Sequence, residues 1–89
     1  MTITETLCRN SFRPFRNSFI WGVGSTMWGH TATVTTVGKD LYKVDVHHWS
    51  YDENADPIED RHIIETLHGG RVLEMLFREL PLWGRYYEP

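Results

Sequence analysis

The feature that most constrains this chain is the stretch from Thr31 to Trp49, in which two strand-like arms flank a three-residue break. The first arm, Thr31 to Val37, is almost wholly β-branched, and such side chains fit the pleated surface of a strand better than the crowded turn of a helix. The second, Leu41 to Trp49, alternates: Tyr42, Val44, Val46 and His48 fall on one face, Lys43, Asp45, His47 and Trp49 on the other. Between them stands Gly38-Lys39-Asp40, where Gly takes positive φ without steric cost and Asp closes a turn with its own side chain. A period of two on both sides of a tight break predicts an antiparallel hairpin, and the rest of the chain must be arranged around it.

Upstream, Phe19, Trp21 and Val23 alternate with Ser18, Ile20 and Gly22, predicting a strand over 18–24. Three consecutive strands with short connections favour a meander. Downstream, Asp56, Pro57 and Glu59 have the spacing of an N-cap, a first-turn proline and a capping-box acid, which predicts a helix from 57 to 67. Val72, Leu73, Met75, Leu76, Phe77 and Leu80 give the broad apolar face of a second helix over 70–80, stopped by Pro81. Ile63, Ile64 and Leu67 would point the opposite way on a helical wheel, so a break is placed at His68-Gly69-Gly70 within the helical region 57–80.

The expected fold is α+β: a small three-stranded antiparallel meander over 18–50, followed by two C-terminal helices packing on one face, in a single domain spanning 1–89. Residues 1–17 are expected to form an extended basic and aromatic arm, with a short strand at Thr2-Ile3-Thr4. The aromatic tail 81–89 is expected to fold back on the domain or meet a partner.

Composition narrows the function classes. A chain of 89 residues buries only about two-thirds of its unfolded surface, and twelve aromatics, four of them Trp, exceed what so small a core hides. Some therefore reach the surface, where Trp and Tyr are frequent interface anchors. The single Cys8 forms no internal disulfide, and neither a secretory-leader pattern nor a membrane-length apolar run is present, so a cytoplasmic setting without membrane contact is expected. The net charge of −3 hides a segregation. Residues 9–44 carry Arg9, Arg13, Arg16, Lys39 and Lys43 against Asp40; residues 45–65 carry Asp45, Asp52, Glu53, Asp56, Glu59, Asp60 and Glu65 against Arg61.

No enzyme motif survives inspection. His47 and His48 are adjacent on a strand and point to opposite faces, and no Cys pair or His-Glu-x-x-His helix supports a metal site, so neither metal nor other cofactor is expected. Asp52-x-Asn54-x-Asp56 begins like a calcium loop, but Pro57 and Ile63 stand where such a loop needs Gly and Glu. Acid–base pairs are conceivable for His48 with Asp52 or Glu53, and for His62 with Asp60 or Glu65; they define the weakest reading, a small-ligand or histidine-based hydrolytic domain.

The leading reading is a non-enzymatic protein-binding module. It acts by occlusion or adaptation on a partner with a basic surface through Trp49, Tyr51, Asp52, Glu53, Asp56, Glu59 and Asp60. An inhibitor of a nucleic-acid-handling complex, of the kind phages and other mobile elements encode, is one form of it. The alternative is nucleic-acid binding through Arg9, Phe12, Arg13, Phe15 and Arg16, where the motif Arg-Asn-Ser-Phe occurs twice, at 9–12 and 16–19. An uncovered sheet face also allows a homodimer.

Overall fold

In a computed structural model, residues 2–80 are described, and their centre is the expected hairpin. Strands β3 (Trp28–Gly38) and β4 (Leu41–Tyr51) pair antiparallel from Trp28↔Ser50 to Gly38↔Leu41, with a bulge between Thr36 and Gly38 and Asp40 left-handed at φ 50°. Strand β2 (Ser18–Gly24) occupies its predicted span and pairs with β3.

The expected three-stranded sheet with two C-terminal helices is wrong. The sheet has five antiparallel strands in the order β1-β2-β3-β4-β5, with one short helix at each end of the described chain. Strand β1 is Arg13–Phe15 and β5 is Pro57–His68; helix α1 is Ile3–Arg9 and α2 is Gly69–Glu79. The segment 57–67 is therefore not a helix. It pairs along β4 from Tyr51↔Pro57 to Leu41↔His68, and this long hydrogen-bonded ladder outweighs a local capping signal worth about 1 kcal/mol.

The turn feeding it, Asp52 to Asp56, is closed by the Asp52 carboxylate, whose Oδ1 accepts from the backbone N–H groups of Asn54 (2.8 Å) and Asp56 (3.0 Å). Ala55 sits left-handed there at φ 63°. Asp56 thus ends a hairpin turn instead of capping a helix.

Residues 1–17 also depart from the expected extended arm. Thr2 caps α1 through a capping box: its hydroxyl accepts from the Glu5 N–H (3.1 Å), and its own N–H donates to the Glu5 carboxylate (3.2 Å). The Thr-x-x-Glu spacing and the Ile3/Leu7 pair were legible in the sequence. The tail expectation concerns residues outside those described.

Both helices lie on one sheet face. Phe19, Trp21, Ala32, Val34, Val44, Val46 and Ile63 point inward, and Leu7 of α1 with Val72, Met75 and Leu76 of α2 cover them. The α2 stripe has the i, i+3, i+4 spacing that the sequence showed, although Phe77 points to solvent. The Asp40 carbonyl of the β3–β4 turn holds the start of α2, accepting from the Gly69 N–H and facing His68 Nδ1, both at 3.2 Å.

Two outcomes test this architecture. Leu76→Ala, at a fully buried position, is expected to destabilise the fold by about 2–5 kcal/mol, read as a lower urea midpoint. Asp52→Ala, which loses two turn hydrogen bonds at the surface, is expected to cost only about 1 kcal/mol.

Candidate functional site

Strand alternation places His47 and His48 on opposite faces of the sheet, as the sequence indicates, and so builds two separate histidine clusters. The outward cluster lies on the face that no described element covers. There His47 and His62 stand directly opposite each other on β4 and β5, with ring centroids 4.7 Å apart. Each imidazole reaches a carboxylate on the diagonal: His47 Nε2 lies 2.7 Å from Asp60 Oδ1, and His62 Nε2 2.6 Å from Asp45 Oδ1. The His47 contact is a hydrogen bond, and an ionised carboxylate only accepts, so His47 Nε2 carries a proton; the His62–Asp45 contact is one of charge proximity.

The sequence pairing of His62 with Asp60 or Glu65 is thus corrected to Asp45. Asp60 belongs to His47, because antiparallel register sets diagonal neighbours that spacing along one strand cannot reveal.

Next along β4, the Trp49 indole stands 5.1 Å from the His47 ring and is fixed on its other sides. Its Nε1–H donates to the Ser25 carbonyl (3.0 Å), and its ring lies across Gly29, where any Cβ would overlap it. Gly24, paired with Gly29, adopts φ 129° and so starts the turn that brings Ser25 within reach. Trp49, Tyr51, His47, Thr26 and Thr31 line a shallow open hollow of about 340 Å³. A second depression of about 680 Å³ adjoins it at Thr31 and runs toward Arg13 over Ile20, Gly22 and Thr33.

The seven residues expected to form an acidic and aromatic surface are not on one face. Trp49 and Asp60 are together on the outer face. Glu53 and Asp56 are exposed on the turn beyond them, while Asp52 is committed to holding that turn. Glu59 lies on the opposite face of β5, near Arg61 at 3.7 Å.

The residues of the alternative arm are likewise dispersed. Arg9 is in α1, Phe12 is buried against Trp21 (6.3 Å between centroids), and Arg13 and Phe15 are on the edge strand β1. Arg16 stacks over the Phe15 ring at 5.5 Å. A buried Phe12 cannot stack on a base, so the repeated Arg-Asn-Ser-Phe motif is mainly a packing device: Phe19 also packs against the core.

On the inner face, His48 does not meet Asp52 or Glu53. Its Nδ1 lies 2.7 Å from His30 Nδ1, a contact that requires one of the two to carry the shared proton. His48 Nε2 is buried and has no hydrogen-bond partner, with Glu79 Oε1 3.7 Å away. The neighbouring carboxylate favours the tautomer with the proton on Nε2, so His30 is the donor. Glu79 is itself held by Arg78 Nε (2.9 Å), with Arg61 Nη1 at 3.5 Å, and its carboxyl is kept below the ordinary range chiefly by the Arg78 hydrogen bond. Burial, then the proximity of His30, pushes the His48 imidazole below its usual value of 6.5.

Among the described residues no group of three or more His, Cys, Asp or Glu side chains is arranged to hold a metal ion, and no helix is long and apolar enough to cross a membrane. Comparison with protein-family models, with curated proteins and with solved structures finds no match to the chain.

The His48 environment fixes the sign of a pH effect. With its folded-state value depressed, the unfolded chain binds the proton first. The stabilisation is therefore fully present above about 6.5 and is lost as the pH falls through the depressed value. The urea midpoint is expected to drop as the pH falls below about 6.5, and His48→Gln to flatten that slope.

Proposed function

We propose that this protein is a binding module that docks a basic segment of a partner protein on the outer face and turn of the β4–β5 hairpin. The observation that carries the reading is the Trp49 indole, half-exposed yet immobilised by Ser25 and Gly29, beside Tyr51 in an open hollow. Such an aromatic loses little conformational freedom on binding, which is what makes Trp and Tyr effective anchors.

The chemistry around it suits a cation. The exposed Glu53 and Asp56 on the turn offer acceptors to Lys or Arg donors. Charge supports the same orientation. Because the strands follow one another across the sheet in sequence order, the basic residues of 9–44 are concentrated toward the β1 side and the acidic ones of 45–65 toward the β5 side.

Adaptor or inhibitor action by occlusion follows from such docking. Imitation of a nucleic-acid backbone is less well supported, since Asp45 and Asp60 are tied to histidines and Glu59 faces the other way. Catalysis lacks a comparable observation: both outward His–Asp pairs are open to solvent, and no described hydroxyl or thiol nucleophile is hydrogen-bonded to either imidazole.

Affinity capture from lysate of the source cell or its host, quantified by mass spectrometry, tests the proposal. A single partner with a basic contact surface is expected with the wild-type chain. Trp49→Ala is expected to weaken its binding by roughly 30-fold or more, with the chain still folded by circular dichroism. The double charge reversal Glu53→Lys with Asp56→Lys is expected to slow association most at low salt. Undiminished binding by both variants would remove the proposal.

A further inference from the structure

The two edges of the sheet are unequal. β1 is three residues long and carries Pro14, which has no N–H to offer a further strand. Among the described residues β5 runs twelve residues, pairs with β4 on one side only, and leaves Ile58 71% and Ile64 54% exposed. A long edge of this kind presents alternate N–H and C=O groups to any chain of matching register.

The side chains of β5 select that register. A second copy related by a two-fold axis normal to the sheet pairs antiparallel and keeps inner faces together, so inward residues meet inward ones. With Ile63 on the axis, Arg61 of each copy stands opposite Glu65 of the other, and Ile63 meets Ile63. On the outer face His62 meets Ile64 and Asp60 meets Thr66, and no like charges are directly opposed. Shifting the axis to His62 sets Glu59 against Glu65 and loses both complementary pairs.

Arg61 and Glu65 are well exposed, at 53% and 44%; within the chain Arg61 lies 3.5 Å from Glu79 and 3.7 Å from Glu59, and Glu65 accepts a hydrogen bond from Arg78 Nη2 at 3.3 Å. They remain available for a second, symmetric set of contacts.

We infer that the chain forms a homodimer by antiparallel pairing of β5 with β5 about Ile63, continuing the sheet through ten strands. Trp49 and its hollow, one strand further in on the outer face, stay open in that assembly, which then presents the docking surface twice.

The test is a charge swap read by analytical ultracentrifugation. The wild-type chain is expected to sediment as a dimer. Arg61→Glu alone places Glu opposite Glu65, and Glu65→Arg alone places Arg opposite Arg61, so each is expected to raise the dimer dissociation constant roughly tenfold or more. Mixed in equal amounts, the two variants regain both opposite-charge pairs and are expected to form a heterodimer. Should either variant fail to fold, Ile63→Cys in a Cys8→Ser background supplies a second reading. The opposed Cα atoms of paired strands lie about 4.5–5.5 Å apart, within disulfide range, so mild oxidation is expected to link two chains through residue 63. A wild-type monomer, variants that dimerise undiminished, or no cross-link at 63 would overturn the inference.

Discussion

The structure depends on the ladder between β3 and β4. Its inward pairs, Val34 with Val44 and Ala32 with Val46, are all buried and form the floor on which both helices rest. Small and β-branched residues make that floor flat and rigid, and the bulky side chains descend from the helices and from Trp21 to fill the space above it. The same hairpin sets the start of α2, since the Asp40 carbonyl in its turn receives the Gly69 N–H. One hairpin thus fixes the sheet, the layer above it and the point where the last strand gives way to a helix.

Among the described residues two short helices cover one face of the five-stranded sheet, and the other face carries polar and paired side chains. The uncovered face is stabilised by local devices: the Ser18–Thr35 hydroxyl contact at 2.8 Å, the two diagonal His–Asp pairs, and the indole of Trp49 laid over Gly29. Each contributes little alone, because exposed ion pairs are worth about 1 kcal/mol at most. Their effect is to hold side chains in one arrangement. On the covered face, His48 is the exception to an apolar floor, and its proximity to His30 and Glu79 makes that end of the core sensitive to protonation.

A meander without crossovers has a further consequence. Charge laid out along the chain is laid out in the same order across the sheet, so Arg13 and Arg16 lie at the β1 edge while Asp52 to Glu65 fall on β5 and the turn that feeds it. The proposed docking of a basic partner at the β4–β5 turn and the inferred self-association along β5 draw on this arrangement in different ways. The first uses the excess of carboxylates; the second uses the local alternation of Arg61 and Glu65 within it.

Local pattern was sufficient wherever the relevant contacts are close in sequence. β2, the β3–β4 hairpin, the apolar stripe of α2 and the opposite outlook of His47 and His48 could all be read from alternation and periodicity, although the left-handed residue of the Gly38–Asp40 break is Asp40 and not Gly38. Residues 2–9 are an exception: the sequence reading places a short strand at Thr2-Ile3-Thr4, whereas Thr2 and Glu5 form a capping box and Ile3–Arg9 is helix α1. Segment 57–68 could not be settled in that way. As an edge strand it is wetted on both faces, so Glu59, Arg61 and Glu65 interrupt its inward alternation, while Asp56, Pro57 and Glu59 imitate a helix start. Only the ladder to β4 decides its conformation, and that register also decides which carboxylate each histidine meets and divides the acidic residues between two faces. The sequence by itself therefore determined the central hairpin, the final helix and the charge order, because these rest on neighbours a few residues apart. The tertiary structure decided the fifth strand, the His–Asp pairs and the seat of Trp49, because each arises from pairing between strands and not from the local pattern of one segment.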